Sequence, residues 1–263
     1  MQRSGLYSKA DVESDKIIIN HIVKSCVKDN FDKDILIYSE ESGYARYSFQ
    51  NNHIDKTQIT SEEFFQKDCF KWVIDPLCGS IPYSRGIADF IVSIALLKTN
   101  EIILGVVYDP VQDELFYASK NKGAFLNNQK ILPSHINSLS NAYISVEHKV
   151  FRVAPPHELK TFISTIQRLR VAGTCGLEMA YVACGRLDAV VKLNQPLYDY
   201  AAGLIIAKEA IGNEDFLIEL PSFKKGKLFV DSNPLSFICN NALLSNELEN
   251  GLHDWNYDID LHK

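Results

Sequence analysis

The stretch from Trp72 to Leu97 constrains this chain more than any other. An apolar run, Trp72-Val-Ile, stops abruptly at Asp75-Pro-Leu-Cys-Gly-Ser, and a second apolar run follows at Asp89-Phe-Ile-Val-Ser-Ile-Ala-Leu. Short apolar runs bounded by turn residues read as buried β-strands. A carboxylate is therefore delivered to a strand end. Gly79-Ser80 then supplies a turn whose backbone N–H groups suit an anion such as phosphate. Ile35-Leu-Ile-Tyr repeats the pattern and carries Ser39-Glu-Glu-Ser-Gly at its end. Two acidic strand ends are expected to meet in one place.

Ile18, Ile22 and Cys26, flanked by Ile19, Val23 and Val27, predict an amphipathic helix over about Asp11 to Lys28. Ser8 and Asp11 are its candidate caps, and Glu13 and Asp15 suit the positive end of its dipole. The polar segment from Tyr44 to Lys71 reads as a long loop or hairpin plus a short helix near Glu62-Glu-Phe-Phe, and a loop of that length suggests a lid or a disordered segment. From Ile91 the pattern is an antiparallel meander: Ile91 to Leu97, Ile102 to Tyr108, Glu114 to Ala118, then a strand and turn from Lys122. After Ser140, strands at Ala142 to Val146, near Leu169 and at Ala189 to Leu193 alternate with helices. Those helices cover about Pro156 to Arg168, Gly176 to Ala183 and Tyr200 to Ala210. The change of rhythm divides the chain into an N-terminal α+β part, residues 1–140, and a C-terminal α/β part, residues 141–263.

At 263 residues and 46% hydrophobic, the chain can build a sizeable core. A net charge of -6 without basic runs argues against a nucleic-acid ligand. The six cysteines show no zinc-site spacing and read as thiols of a reducing compartment. With neither a secretion signal nor an apolar stretch of membrane length, a cytoplasmic location away from membranes is expected.

Glu40, Glu41, Asp75 and Asp199 stand at apparent element boundaries, where a scaffold presents side chains to a cleft. Taken singly, such an acid is ordinarily a solvated turn residue or a helix cap. Beside a phosphate cradle, however, carboxylates repel the substrate unless divalent cations lie between them. Mg2+, with its preference for hard oxygen ligands, is the natural choice, and metal-assisted hydrolysis of a phosphate ester is the chemistry suggested.

Three blocks, Ser39-Glu-Glu-Ser, Trp72-Val-Ile-Asp-Pro-Leu-Cys-Gly-Ser and Tyr198-Asp-Tyr-Ala-Ala-Gly, resemble in order the signatures of the inositol monophosphatase family. Gly105-Val-Val-Tyr-Asp-Pro, Lys122-Gly-Ala-Phe, the segment from Gly173 to Val190 and Ile238-Cys-Asn-Asn extend the likeness. The resemblance implies an α/β fold, a layered αβαβα sandwich with its site between two subdomains. It implies that Glu40, Asp75 and the Leu77 carbonyl hold a first metal, with Glu41 as an outer acid, and that Asp199 and the position of Cys78 serve a second. Gly79 and Ser80 would bind phosphate, and Ser80 with Asp11 would orient the attacking water. The expected substrate is a small phosphorylated metabolite, an inositol or sugar phosphate. Mg2+ dependence, lithium inhibition and a possible homodimer follow from the same likeness.

Three departures qualify it. Cys78 stands where the family has an aspartate. It reads as a small neutral residue at a weakened second site, as a ligand for a softer metal, or as a sign of lost catalysis that leaves a binding protein. Lys192 stands where inositol-selective members tend to carry a glutamate. It reads either as an exposed lysine or as a cation favouring a bisphosphate or 3'-phosphonucleotide, as in a 3'-phosphoadenosine nucleotide phosphatase. Finally, the family usually has a further helix before the match to Asp11, so that layer is expected to be lost or the start truncated. Arg85 and Arg186 read as solvated surface residues, with phosphate contact as the alternative.

Overall fold

The computed structural model describes residues 9–29, 31, 33–50, 53–220, 224–225, 233–253 and 255. Helix α1 (Lys9–Lys28) leads into β1 (Ile35–Ser39), the hairpin of β2 (Gly43–Gln50) and β3 (His53–Gln58), α2 (Ser61–Gln66) and β4 (Phe70–Cys78). A short helix, α3 (Ser80–Ser84), precedes β5 (Ile91–Lys98), β6 (Glu101–Asp109), β7 (Glu114–Ser119), β8 (Ala124–Leu126) and β9 (Gln129–Lys130). These nine strands form one sheet in the order β3-β2-β1-β4-β5-β6-β7-β8-β9.

The second half continues with β10 (Tyr143–Val146), α4 (Val150–Val153), α5 (Pro156–Thr165), β11 (Arg168–Val171) and α6 (Cys175–Ala183). After these come β12 (Ala189–Gln195), α7 (Leu197–Ile211), β13 (Leu217–Leu220), β14 (Lys224–Lys225), β15 (Leu235–Asn240) and α8 (Ser245–Leu252). Its six-stranded sheet runs β11-β10-β12-β15-β13-β14.

Side-chain alternation along the strands explains the layering. In β1, Ile35 and Ile37 face α1, where they pack with Ile19, Val23 and Ile74, while Leu36 and Val73 face the opposite way toward α6 and α7. A sheet covered on both faces needs no polar face, hence the unbroken apolar runs of β1 and β4. Helices α6 and α7 lie between the two sheets, in one core with Val107 and Phe116 of the first and Val190 and Cys239 of the second. On the far side, α4, α5 and α8 close the stack through Val150, Phe162 and Leu248. The result is the αβαβα sandwich.

Glycine permits the close central packing. A Cβ on Gly203 of α7 would lie 2.9 Å from the Gly176 carbonyl oxygen of α6, and one on Gly105 of β6 would lie 2.6 Å from the Ala202 carbonyl oxygen. Helix α7 is thus seated directly on the first sheet, with its N-terminus beside the end of β4.

Several expectations change. The Tyr44–Lys71 segment takes the hairpin-and-helix form, with β2 paired to β1 and Phe64 of α2 buried against Tyr38 and Tyr44, so it is not a lid loop. Ser8 lies outside the described residues. Asp11 lies within the first turn of α1, where it is buried instead of capping the helix. The helix expected to reach Arg168 ends at Thr165, because Arg168 begins β11 and pairs with Tyr143. The strands and helix after Ile211 were not anticipated from the sequence. Among the described residues, no helix is long and apolar enough to cross a membrane.

Candidate active site

Strands β1 and β4 are parallel neighbours, with Ser39 opposite Ile74, and the Glu40 amide donates to the Ile74 carbonyl at 3.1 Å. The two acidic strand ends therefore do meet, bringing Glu40 beside Asp75. Beyond Asp75 the register against β5 slips, so that Cys78 pairs with Ile91 while Asp75 pairs with Ser93. Such a bulge accommodates Pro76, which has no N–H to give to a ladder, and turns Leu77 and Cys78 into the site. The chain then reverses at Gly79, whose φ of 99° is left-handed and whose missing Cβ would come within 2.5 Å of the Asp89 carbonyl oxygen. Only glycine fits this corner without strain.

Helix α1 supplies a third wall. Asp11, Asp15, Ile19 and Val23 recur every four residues along one buried stripe, acidic near the site and apolar over the sheet. Ser80 Oγ lies 3.0 Å from Asp11 Oδ1 and 3.2 Å from the Leu77 carbonyl oxygen. Ser39 Oγ donates to Asp15 Oδ1 at 2.5 Å, a contact that sequence reasoning missed. Asp199 enters from the first turn of α7. Oxygens of Asp75 and Asp199 and the Cys78 sulfur all lie within 4.8 Å of one another.

The electrostatics are those of crowded anions. Burial, then Glu40 and Asp199, raise the Asp75 carboxyl well above the usual range. Burial and Glu40 push Asp199 up to about 7, opposed by Lys192. Glu41 also rises to about 7, through burial and then Glu40, Asp11 and Asp15. Asp75 Oδ2 and Glu41 Oε2 are buried without hydrogen-bond partners. Buried, unsatisfied carboxylate oxygens repelling one another are what a hard divalent cation relieves. The group formed by Glu40, Asp75, Glu41 and the Leu77 carbonyl thus fits Mg2+, whereas the Cys78 sulfur does not.

Lys192 requires correction. It is not exposed: its ammonium is buried on β12, where it donates to Glu178 and lies 3.9 Å from Glu147. Burial alone would lower it, but Glu178, Cys175 and Glu147 hold it above the usual lysine range. Its charge is already neutralised within the protein, so the inference from a free cation to a bisphosphate loses its basis. Glu178 and Glu147 were not singled out from the sequence. A lone acid in Cys175–Ala183 and a lone lysine in Ala189–Gln195, both otherwise largely apolar, were the available signal, since deeply buried charges are normally paired. Arg186 forms a two-pronged pair with Glu114, both contacts 2.6 Å, and its guanidinium sits 5.2 Å from the Tyr181 ring centre, so it is held within the protein and not merely solvated. Arg85 is exposed at the end of α3.

A cluster of carboxylates at the adjacent ends of two parallel strands, inside an αβαβα stack, defines a class of protein with a site suited to a divalent cation. The chain belongs to the inositol monophosphatase family, which residues 3–213 match. It is 32% identical over 201 residues to the fructose-1,6-bisphosphatase/inositol-1-monophosphatase of Thermotoga maritima, covering 74% of this chain and 72% of that protein. It is 37% identical over 145 residues to the Nus factor SuhB of Xylella fastidiosa, but spans only about half of that relative's length, 53%, with 54% of its own. In structure it resembles the Thermotoga maritima IMPase with a TM-score of 0.72 at 28% identity, covering 96% of this chain and 86% of that one. Family membership supports a metal-dependent phosphatase, and members generally use Mg2+.

Proposed function

We propose that this protein hydrolyses a small phosphate monoester, an inositol phosphate or related sugar phosphate, with Mg2+ as cofactor. The observation that carries this reading is the convergence of Glu40, Asp75 and Asp199 from three elements onto the turn at Gly79. Glu40, Asp75 and the Leu77 carbonyl would hold the ion, with Glu41 behind them. When bound, the cation offsets the charge of the phosphate and lowers the pKa of water at the site.

The chain's own groups do the rest. Gly79 and Ser80 present backbone N–H groups to the phosphate oxygens. Ser80 donates its proton to Asp11 Oδ1 or the Leu77 carbonyl, which leaves its lone pairs to accept a hydrogen bond from the attacking water. Asp11 and the Leu77 carbonyl together confine that hydroxyl to their side. A water so aligned has already lost much of the entropy the reaction requires.

The test is inorganic phosphate release from a panel of inositol, sugar and nucleotide phosphates, with and without Mg2+, using Glu40→Gln as the inactive control. Release that requires Mg2+ and is lost in the control supports the reading. Inactivity across the panel counts against it and favours a second reading, motivated by Cys78, in which the fold is kept for binding.

A further inference from the structure

Resting on the reading of Asp75 and Asp199 as metal ligands, we propose that Cys78 makes the second cation site a mixed sulfur–oxygen site that selects a borderline ion such as Zn2+ over Mg2+. The ligand atoms are assembled in advance. The Cys78 sulfur and one oxygen each from Asp75 and Asp199 lie mutually within 4.8 Å. Donors about 2.0–2.3 Å from a shared tetrahedral Zn2+ stand roughly 3.3–3.8 Å apart, so atoms mutually within 4.8 Å need to draw together by about 1.5 Å at most to share one ion.

A second observation points to a cation independently of the cysteine. Asp75 Oδ2 is buried and has no hydrogen-bond partner, while its other oxygen, Oδ1, accepts from the Leu77 amide at 3.2 Å. The bulge that places Asp75 and Cys78 on one side of β4 is also what brings sulfur and oxygen to a common centre.

The sulfur decides which ion is held. A thiolate is a soft ligand that binds Zn2+, Co2+ or Cd2+ well and Mg2+ poorly, whereas the oxygen-only group at Glu40 retains its preference for hard ions. Binding is a simple exchange: the metal–sulfur bond forms, the S–H bond breaks and the proton passes to buffer. No electron is transferred. The two adjoining sites then differ in character, one hard and one borderline, and are expected to load different ions.

The decisive measurement is a titration of the reduced, metal-stripped full chain with Co2+, reading the near-ultraviolet sulfur-to-cobalt charge-transfer band. The band is expected in the wild type, absent in Cys78→Ser and retained in Cys175→Ala, which removes the neighbouring buried thiol. Competition with Zn2+ should show Cys78→Ser binding at least about 100-fold more weakly, beyond the 10- to 100-fold typical of changes around a ligand. Cys78→Asp should instead exchange Zn2+ preference for Mg2+. Co2+ binding by the wild type without a charge-transfer band, or a band that survives in Cys78→Ser, overturns the inference. The absorbance does not depend on hydrolysis: inactivity with the band present counts only against the phosphatase reading, and Mg2+-dependent activity without the band counts only against the sulfur site.

Discussion

Replacing Lys192 with methionine probes the buried charge cluster beside the active site. Lys192 and Glu178 have no exposed side-chain surface, and the lysine ammonium meets Glu178, Glu147 at 3.9 Å and the Ala172 carbonyl at 3.5 Å. Among the described residues, the Glu178 carboxylate in Lys192→Met keeps only the Ser145 hydroxyl, whereas Glu147 retains His148 at 3.0 Å and Gln195 at 3.4 Å. Breaking a buried pair on one side costs about 3–5 kcal/mol. For a chain of this length, that lowers the melting temperature by on the order of 10 °C. Replacing both members, in Lys192→Met with Glu178→Leu, removes the orphaned charge and should restore most of the loss, since apolar substitutes for a buried pair are often neutral or stabilising. Thermal melts of the four proteins in the cycle, followed by circular dichroism in chelator, give the coupling energy. A double variant as unstable as the single one, or a single variant that loses less than about 1 kcal/mol, would show that the cluster is not the buried ion pair described.

Three further outcomes follow from the site. Glu40→Gln should reduce phosphate release by roughly 100- to 1000-fold, the several kcal/mol a catalytic cation supplies, yet raise the melting temperature of the metal-free protein by relieving repulsion on Asp75 and Asp199; a fall in both would refute the repulsion. Gly79→Ala, forced into a left-handed corner against Asp89, should cost about 1–3 kcal/mol in a urea melt and depress activity, and a neutral result would mean that the turn relaxes freely. Stability of the metal-free protein should fall as pH rises from about 4 to 7: Asp199 and Glu41 still hold their protons in the folded chain up to about 7, whereas the unfolded chain releases them near 4. Mg2+ should therefore raise the melting temperature more at pH 8 than at pH 5, and equal effects at both would contradict the raised carboxyls.

Much of the site was legible because it sits on strongly patterned sequence. Ile35–Tyr38 and Trp72–Ile74 announce strands by composition alone, and the acids that end them were expected to converge, as Glu40 and Asp75 do. Pattern carries no partner information, however. The apolar surroundings of Lys192 hinted at burial, but its partners stayed hidden, because its counter-charges Glu178 and Glu147 come from α6 and the end of β10 and meet it only through tertiary packing. Asp15 looked like a dipole-stabilising acid on α1, and its role became visible only when Ser39 was placed opposite it. The strands after Ile211 were missed for a different reason: β13 and β15 have only four and six residues, and their apolar content is set by the neighbours they pair with.

The close seating of α7 on the first sheet, made possible by Gly105, has an electrostatic consequence. It holds Asp199 against the sheet that carries Glu40 and Asp75, while Lys192 and Glu147 belong to the second sheet and Glu178 to α6. The acidic cluster and the buried ion-pair cluster are therefore carried largely by different sheets, and they meet where Lys192 acts on Asp199. Lys192, which acts electrostatically on Asp199, is thus the residue through which a change of charge on β12 would be felt at the carboxylates of the first sheet.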